Sequence, residues 1–418
     1  MLVKSRKLKI LLTFLIFSIG CLFISGLAAG VEPIKIGAPL PLTGFCASDG
    51  EDMLRALQMG VEEINAQGGV LGRPLELITG DIGDLEAEKI SAVGEMLIGR
   101  GVDLMISGYT DGGVDTMVFG QYDVPYIHGD TMLLSTQPVM ENPEKYWNVF
   151  QFDPNETSYG YDAVKLFGIP EKMGYEAPNK KVAIIVADYV YNIEAQEIFE
   201  KKAIAQDYEV VVKELVTLGG NLEWGPILAK IAKKKPAFVT FWDLDPADAA
   251  RFMLQWKDRF MANPMDTLVF MQYTPNIPEF LDLVGDAADG VLWVVNMKPY
   301  GPDYEAYEAR WMKKFGAPVG GAYGGYLREG LEIWREAVER VGDVKKYREI
   351  CTNIKEYPYQ CKYSNNLIVF DPHYQCAIQG EGLTPVVWHQ IQNGKHYMVA
   401  PEICKEAEME LPPWMESK

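Results

Sequence analysis

IKIGAPLPLTG at residues 34–44, followed by EEINAQGGVLGRPLELITGD at residues 62–81, is the stretch whose reading decides the fold. Ile34–Ala38 reads as a short apolar strand. Asp49–Gln67 places Met53, Leu54, Leu57, Val61 and Ile64 at helical spacing, which predicts an amphipathic helix. Gly68-Gly69 ends it, and Pro74–Thr79 reads as the next strand. Outward from this unit the alternation continues: helix Asp84–Arg100, strand Val102–Ser107, helix Gly113–Tyr122, strand Pro125–His128.

A second series begins after Asn155. Helices are expected at Tyr159–Phe167, Ile193–Gln206, Trp224–Lys233, Ala247–Lys257, Tyr304–Phe315 and Tyr323–Val341. Strands are expected at Lys181–Ala187, Glu209–Leu215, Ala237–Phe241, Thr267–Met271 and Val291–Asn296. Such alternation argues an α/β fold of parallel sheets covered by helices on both faces. Two series imply two Rossmann-like lobes, with a ligand cleft lined by the loops beyond the carboxyl ends of the strands.

The chain has 418 residues, 48% of them hydrophobic, enough for two cores. With 58 acids against 39 bases the formal charge is −19, the wrong sign for a protein that tracks phosphates, so nucleic acid is not an expected partner. Lys4, Arg6, Lys7 and Lys9 precede an uncharged apolar run, Ile10–Ala29, closed by small residues. This predicts that residues 1–30 are a signal peptide or an N-terminal anchor, with Gly20-Cys21 a weak hint of lipid attachment. Removing residues 1–30 would take the formal charge from −19 to −23 and place the body outside the cytoplasm. Disulfides persist there. Cys351, Cys361, Cys376 and Cys404 then have Cys351–Cys361 and Cys376–Cys404 as the simplest of three pairings, leaving Cys46 over.

Pro41, Leu42, Thr43, Gly44, Ile64, Asn65, Gly68, Gly69, Gly72, Arg73 and Pro74 carry a further reading. Their pattern resembles the exported solute-binding proteins of ABC importers, of the branched-chain amino acid and amide type. The resemblance implies a type I periplasmic-binding-protein fold with three hinge crossovers. Lobe 1 would be 31–154 plus 300–372, lobe 2 would be 155–299 plus 373–405, and 406–418 would be a tail. It also implies closure on a small-molecule ligand, delivery to an ABC permease in the membrane, a monomer, no cofactor and no chemistry.

In amino-acid-binding members of that family, lobe 1 grips the ligand carboxylate with hydroxyls and free backbone N–H groups. Here Asp111 falls near the position of the family's clamp serine, Asp130 stands beside Thr131 where a small residue is usual, and Asp49 sits near a position that is often a ligand-stacking tyrosine. Tyr109 lies in the clamp loop. Tyr191 matches a cleft tyrosine of lobe 2, where Trp242, Asp243 and Tyr273 end neighbouring strands. Acids with aromatic faces suit a cation such as an amine, a quaternary ammonium or a guanidinium. A metal ion held by carboxylates is the second possibility. The plainer readings are helix caps for Asp49 and Asp111, a turn for Asp130 and core packing for Trp242. An ordinary branched-chain amino acid receptor and a ligand-sensing module are the alternatives in function. No G-x-S-x-G or phosphate-loop motif occurs, so an enzyme is not expected.

Overall fold

The computed structural model describes residues 31–44, 46–320, 323–364 and 366–415, so the signal or anchor expected at 1–30 lies outside the described residues. Strand β1 (Ile34–Leu40) leads into helix α1 (Ala47–Ala66), and β2 (Leu75–Asp81) returns parallel to β1. The I-N-x-x-G-G motif makes this return. Asn65 donates to Leu75 O at 2.9 Å and accepts from Leu75 N at 2.6 Å. Gly69 has a φ of 74°, and a Cβ there would meet Arg73 O at 1.9 Å, so only glycine fits the turn.

Helix α2 (Ala87–Gly99), β3 (Leu104–Ser107), α3 (Val114–Phe119), β4 (Tyr126–His128), α4 (Leu133–Glu141) and β5 (Val149–Gln151) complete a parallel five-stranded sheet, ordered β2-β1-β3-β4-β5. Helix α5 (Thr157–Asp162), α6 (Ile169–Lys172), β6 (Lys181–Ala187), α7 (Val190–Ile204), β7 (Glu209–Val216), α8 (Gly225–Lys234), β8 (Phe238–Asp243), α9 (Pro246–Phe260), β9 (Leu268–Tyr273), α10 (Pro278–Val284) and β10 (Leu292–Asn296) build the second body. Helices α11 (Pro302–Phe315), α12 (Tyr323–Val341) and α13 (Tyr347–Glu356) follow. The short strands β11 (Tyr359–Gln360) and β12 (Leu367–Ile368) pair with each other. Strands β13 (Val386–Gln392) and β14 (Lys395–Ala400) join the second sheet, ordered β14-β13-β10-β9-β8-β6-β7.

Two parallel-dominated sheets in an α/β chain are as expected. The antiparallel β13–β14 hairpin at the edge of the second sheet is absent from the sequence-based expectation, because its polar residues mask the alternation. Helix α12 packs its apolar face on α1. Its buried Arg328 bridges Glu63 at 2.9 Å and Glu332 at 3.0 Å, which keeps a fully enclosed cation paired.

The chain crosses between the bodies three times, after β5, after β10 and between β12 and β13. The crossings are tied side by side. Asn296 donates to Pro154 O at 3.1 Å, and Gln151 N donates to Gln375 O at 3.0 Å.

The expected disulfides are not formed: all five cysteines among the described residues are free thiols. Cys376 lies at the crossings, its Sγ 3.3 Å from Asp153 O, whereas Cys404 packs with Val387 and Met398 under the β13–β14 hairpin. Cys351 faces the core from α13. The tail after Cys404 runs along the second sheet. Gln390 and Gln392 each donate to it at 2.7 Å, and buried Trp414 donates to Thr267 O at 2.9 Å.

Candidate functional site

The loops after β1, β3 and β4 bring their acids to the face where the two bodies meet. Asp81 secures the first loop, accepting from Leu42 N at 3.0 Å, Thr43 Oγ1 at 2.7 Å and Gly83 N at 2.9 Å. Asp49 then enters in the first turn of α1 and accepts the Tyr109 hydroxyl at 2.9 Å. Burial pushes its carboxyl up to about 7, partly offset by that hydrogen bond and reinforced by the charges of Asp52 and of Glu279 from α10. The same Asp49 charge, after burial, raises the Tyr273 phenol at the end of β9. Tyr273 holds a φ of 61°, a strained value for a tyrosine that turns the chain off the strand at the cleft.

Tyr109 stacks edge-on to Tyr323 with centroids 5.1 Å apart, and Tyr323 lies 5.3 Å from Tyr326. Tyr191, buried on α7, accepts from Gln272 at 2.9 Å and meets Tyr159 edge-on at 6.4 Å. Asp130 is turned inward. Its carboxylate accepts the Thr110 N–H at 2.9 Å and the Ser135 hydroxyl, and burial with the Asp115 charge holds its carboxyl well above the usual range. Thr131, at a φ of 53°, donates to Asp153 on the first crossing. Burial pushes Asp153 up to about 7 and Glu156 up to about 8. Asp111 makes no side-chain cap on α3; it acts electrostatically on Tyr189 of the opposite body, and burial raises its carboxyl.

Two expected residues have structural partners of their own. Trp242 is fully buried in the core between Phe199 and Phe270, its indole donating to Thr240 Oγ1 at 3.0 Å. Asp243 accepts from Asp245 N at 2.7 Å and shapes the turn into α9. Sequence reading misses Tyr323, Tyr326, Tyr159, Asp153 and Glu156, which reach the site from α12 and the first crossing. Only the tertiary contact of these segments brings them in. The charges acting most strongly on Asp49, Tyr109, Asp111, Asp130, Tyr189 and Tyr273 come from acids, phenols or a thiol.

Two α/β bodies joined by three crossings of the chain, with buried polar and aromatic side chains between them, define a hinged two-lobe binding protein for a small ligand. The chain belongs to the periplasmic binding protein family, which it matches over residues 33–362. It is 26% identical over 381 residues to Leu/Ile/Val-binding protein homolog 2 of Brucella abortus, covering 87% of this chain and 92% of that one. Among solved structures it is similar to a putative branched-chain amino acid ABC transporter from Silicibacter pomeroyi, with 28% identity, a TM-score of 0.84, and coverage of 92% and 100%. A solute-binding protein of an ABC transporter from Rhodopseudomonas palustris, solved with 3,4-dihydroxy benzoic acid, shares the fold at 19% identity and a TM-score of 0.71, with coverage of 90% and 98%. The family serves transporters as their substrate-binding component. Among the described residues no helix is long and apolar enough to cross a membrane.

Proposed function

We propose that this chain is the exported, monomeric solute-binding protein of an ABC importer, and that its ligand carries positive charge or lacks a free carboxylate. The lobes that close on it are 31–154 plus 300–372 and 155–299 plus 373–405, and a membrane permease receives it. The observation that carries the ligand assignment is the inward turn of Asp130. Its carboxylate already takes the Thr110 N–H, the group that a ligand carboxylate would need. Asp49, Asp111, Asp153 and Glu156 add carboxyls that burial holds toward their neutral form. Among the described residues none of these acids is paired with a lysine or arginine, so a ligand ammonium would supply the missing countercharge and draw them to the charged form, whereas a ligand carboxylate would oppose their ionisation. The tyrosines Tyr109, Tyr323, Tyr326 and Tyr273 offer ring faces that suit an ammonium group.

A second reading, a neutral branched-chain amino acid, is favoured by the names of the similar Brucella and Silicibacter proteins. Leucine and leucinamide separate the two readings, since they share a side chain and an ammonium and differ in the carboxylate. A ligand that binds only the folded state raises the melting temperature by mass action. The proposal expects a rise with leucinamide or a quaternary amine and none with leucine. Ordinary leucine affinity would overturn it.

A further inference from the structure

Behind the cleft floor, Asp115 of α3, His128 of β4 and Asp130 of the following loop converge, with one ligand-type atom of each within 4.8 Å of the others. All three are buried, at 0%, 0% and 4% exposure. His128 Nδ1 stands 3.9 Å from Asp115 Oδ2 and receives only a long contact, 3.4 Å, from Asp130 N. Among the described residues its Nε2 has no partner, nor has Asp115 Oδ1. The Thr110 hydroxyl lies within reach of the Asp115 carboxyl and the Tyr126 phenol. Buried polar atoms are normally satisfied, so orphaned atoms on two of three converging ligand-type side chains call for an occupant. Among the described residues no lysine or arginine pairs with Asp115 or Asp130.

We propose that Asp115, His128 and Asp130 bind a divalent transition-metal ion, zinc foremost, with the Thr110 hydroxyl or a water as fourth ligand. Two carboxylates balance the charge of a dication, and an imidazole nitrogen selects a transition ion over calcium or magnesium. Zinc ligands of this kind stand about 3.4 Å apart in a tetrahedron, so the cluster contracts slightly around the ion. The surroundings already orient the ligands, as metal sites require. Tyr126 donates to Asp115 Oδ2 at 2.6 Å and stacks on the His128 ring at 4.9 Å. Asp130 is held by Thr110 N and Ser135. The ion would pin the loops after β3 and β4 together beneath the cleft. It is not the transported ligand, because its donors are closed to solvent.

The test is metal analysis of untagged protein purified without chelator from cells expressing the full chain. Cobalt(II) absorption and thermal shift with zinc follow on chelator-stripped protein. Expected are about one zinc per chain, visible d–d bands with cobalt, a raised melting temperature with zinc, and at least tenfold weaker zinc binding in His128→Gln and Asp115→Asn. His373→Gln, an exposed histidine outside the cluster, keeps full binding. Absence of bound zinc, of cobalt bands and of a zinc-induced shift in the unsubstituted protein overturns the proposal, even where the variants fail to fold. Zinc binding that survives unchanged in both cluster variants also overturns it.

Discussion

At the scale of the residue, Asp49 shows how burial creates function-ready chemistry. Its carboxyl titrates at about 7 in the fold, against the usual 3.8, because burial disfavours its charge. A raised carboxyl contributes stability that is complete below its unfolded value and is lost as pH rises through its folded value. Asp153 and Asp243, each at about 7, and Glu156 at about 8 act in the same direction. The buried His128, held down to about 3, acts oppositely, but only below its unfolded value of 6.5. Between about pH 6.5 and 8.5 His128 no longer contributes and the acids drive a fall in the melting temperature of the ligand-free protein, opposed by the buried Lys298 amine, which burial lowers. Asp49→Asn, which keeps an acceptor for Tyr109, should flatten part of that fall; a slope unchanged by the substitution would remove Asp49 from the account. The positions of Asp49, Asp111 and Asp130 beyond the ends of strands were legible in the sequence. That Asp130 turns inward was not, because its partners Thr110 and Ser135 lie 20 and 5 residues away.

At the scale of the element, the alternating pattern identified the strands and helices of both bodies because apolar periodicity follows directly from burial on one face. It missed β5, α4, α6, α10, α13, the β11–β12 pair and the β13–β14 hairpin, where Pro138, short length or mixed polarity obscures the period. Helix α1 carries a testable constraint of its own. A Cβ on Gly50 would lie 1.9 Å from Pro41 O, so the helix sits hard against the loop of the opening motif. Gly50→Ala gains helix propensity yet is expected to destabilise by about 2–3 kcal/mol, because the loop must move. Urea unfolding would show a lower midpoint; an unchanged or higher midpoint would mean that the loop gives way freely. On the far side of the molecule, Trp414 closes the second body like a latch. Trp414→Ala is expected to cost about 3–5 kcal/mol by the same measurement, through the cavity it leaves and the lost bond to Thr267.

At the scale of the whole molecule, the cleft joins groups from three separate stretches of chain. Tyr323 and Tyr326 come from α12, Asp153 from the first crossing and Tyr273 from the opposite body. The side-by-side ties among the crossings, Asn296 to Pro154 and Gln151 to Gln375, leave rotation about the crossings as the available motion. The ligand experiment belongs to this scale. A leucinamide or quaternary-amine ligand bridging Asp49 and Tyr273 should raise the single melting transition of both bodies together, whereas a shift confined to one of two transitions would mean that the ligand does not span the cleft.

The sequence by itself determined the α/β class, the two series of strands and the family resemblance, since these rest on local periodicity and on a turn that only Gly69 and Asn65 can make. Tertiary structure decided that Asp49 meets Tyr109, that Asp130 turns inward to Thr110, where Trp242 is buried, and that the four clustered cysteines remain thiols. Those outcomes depend on contacts between residues far apart in the chain, where side-chain direction and desolvation are set by neighbours that no local pattern encodes.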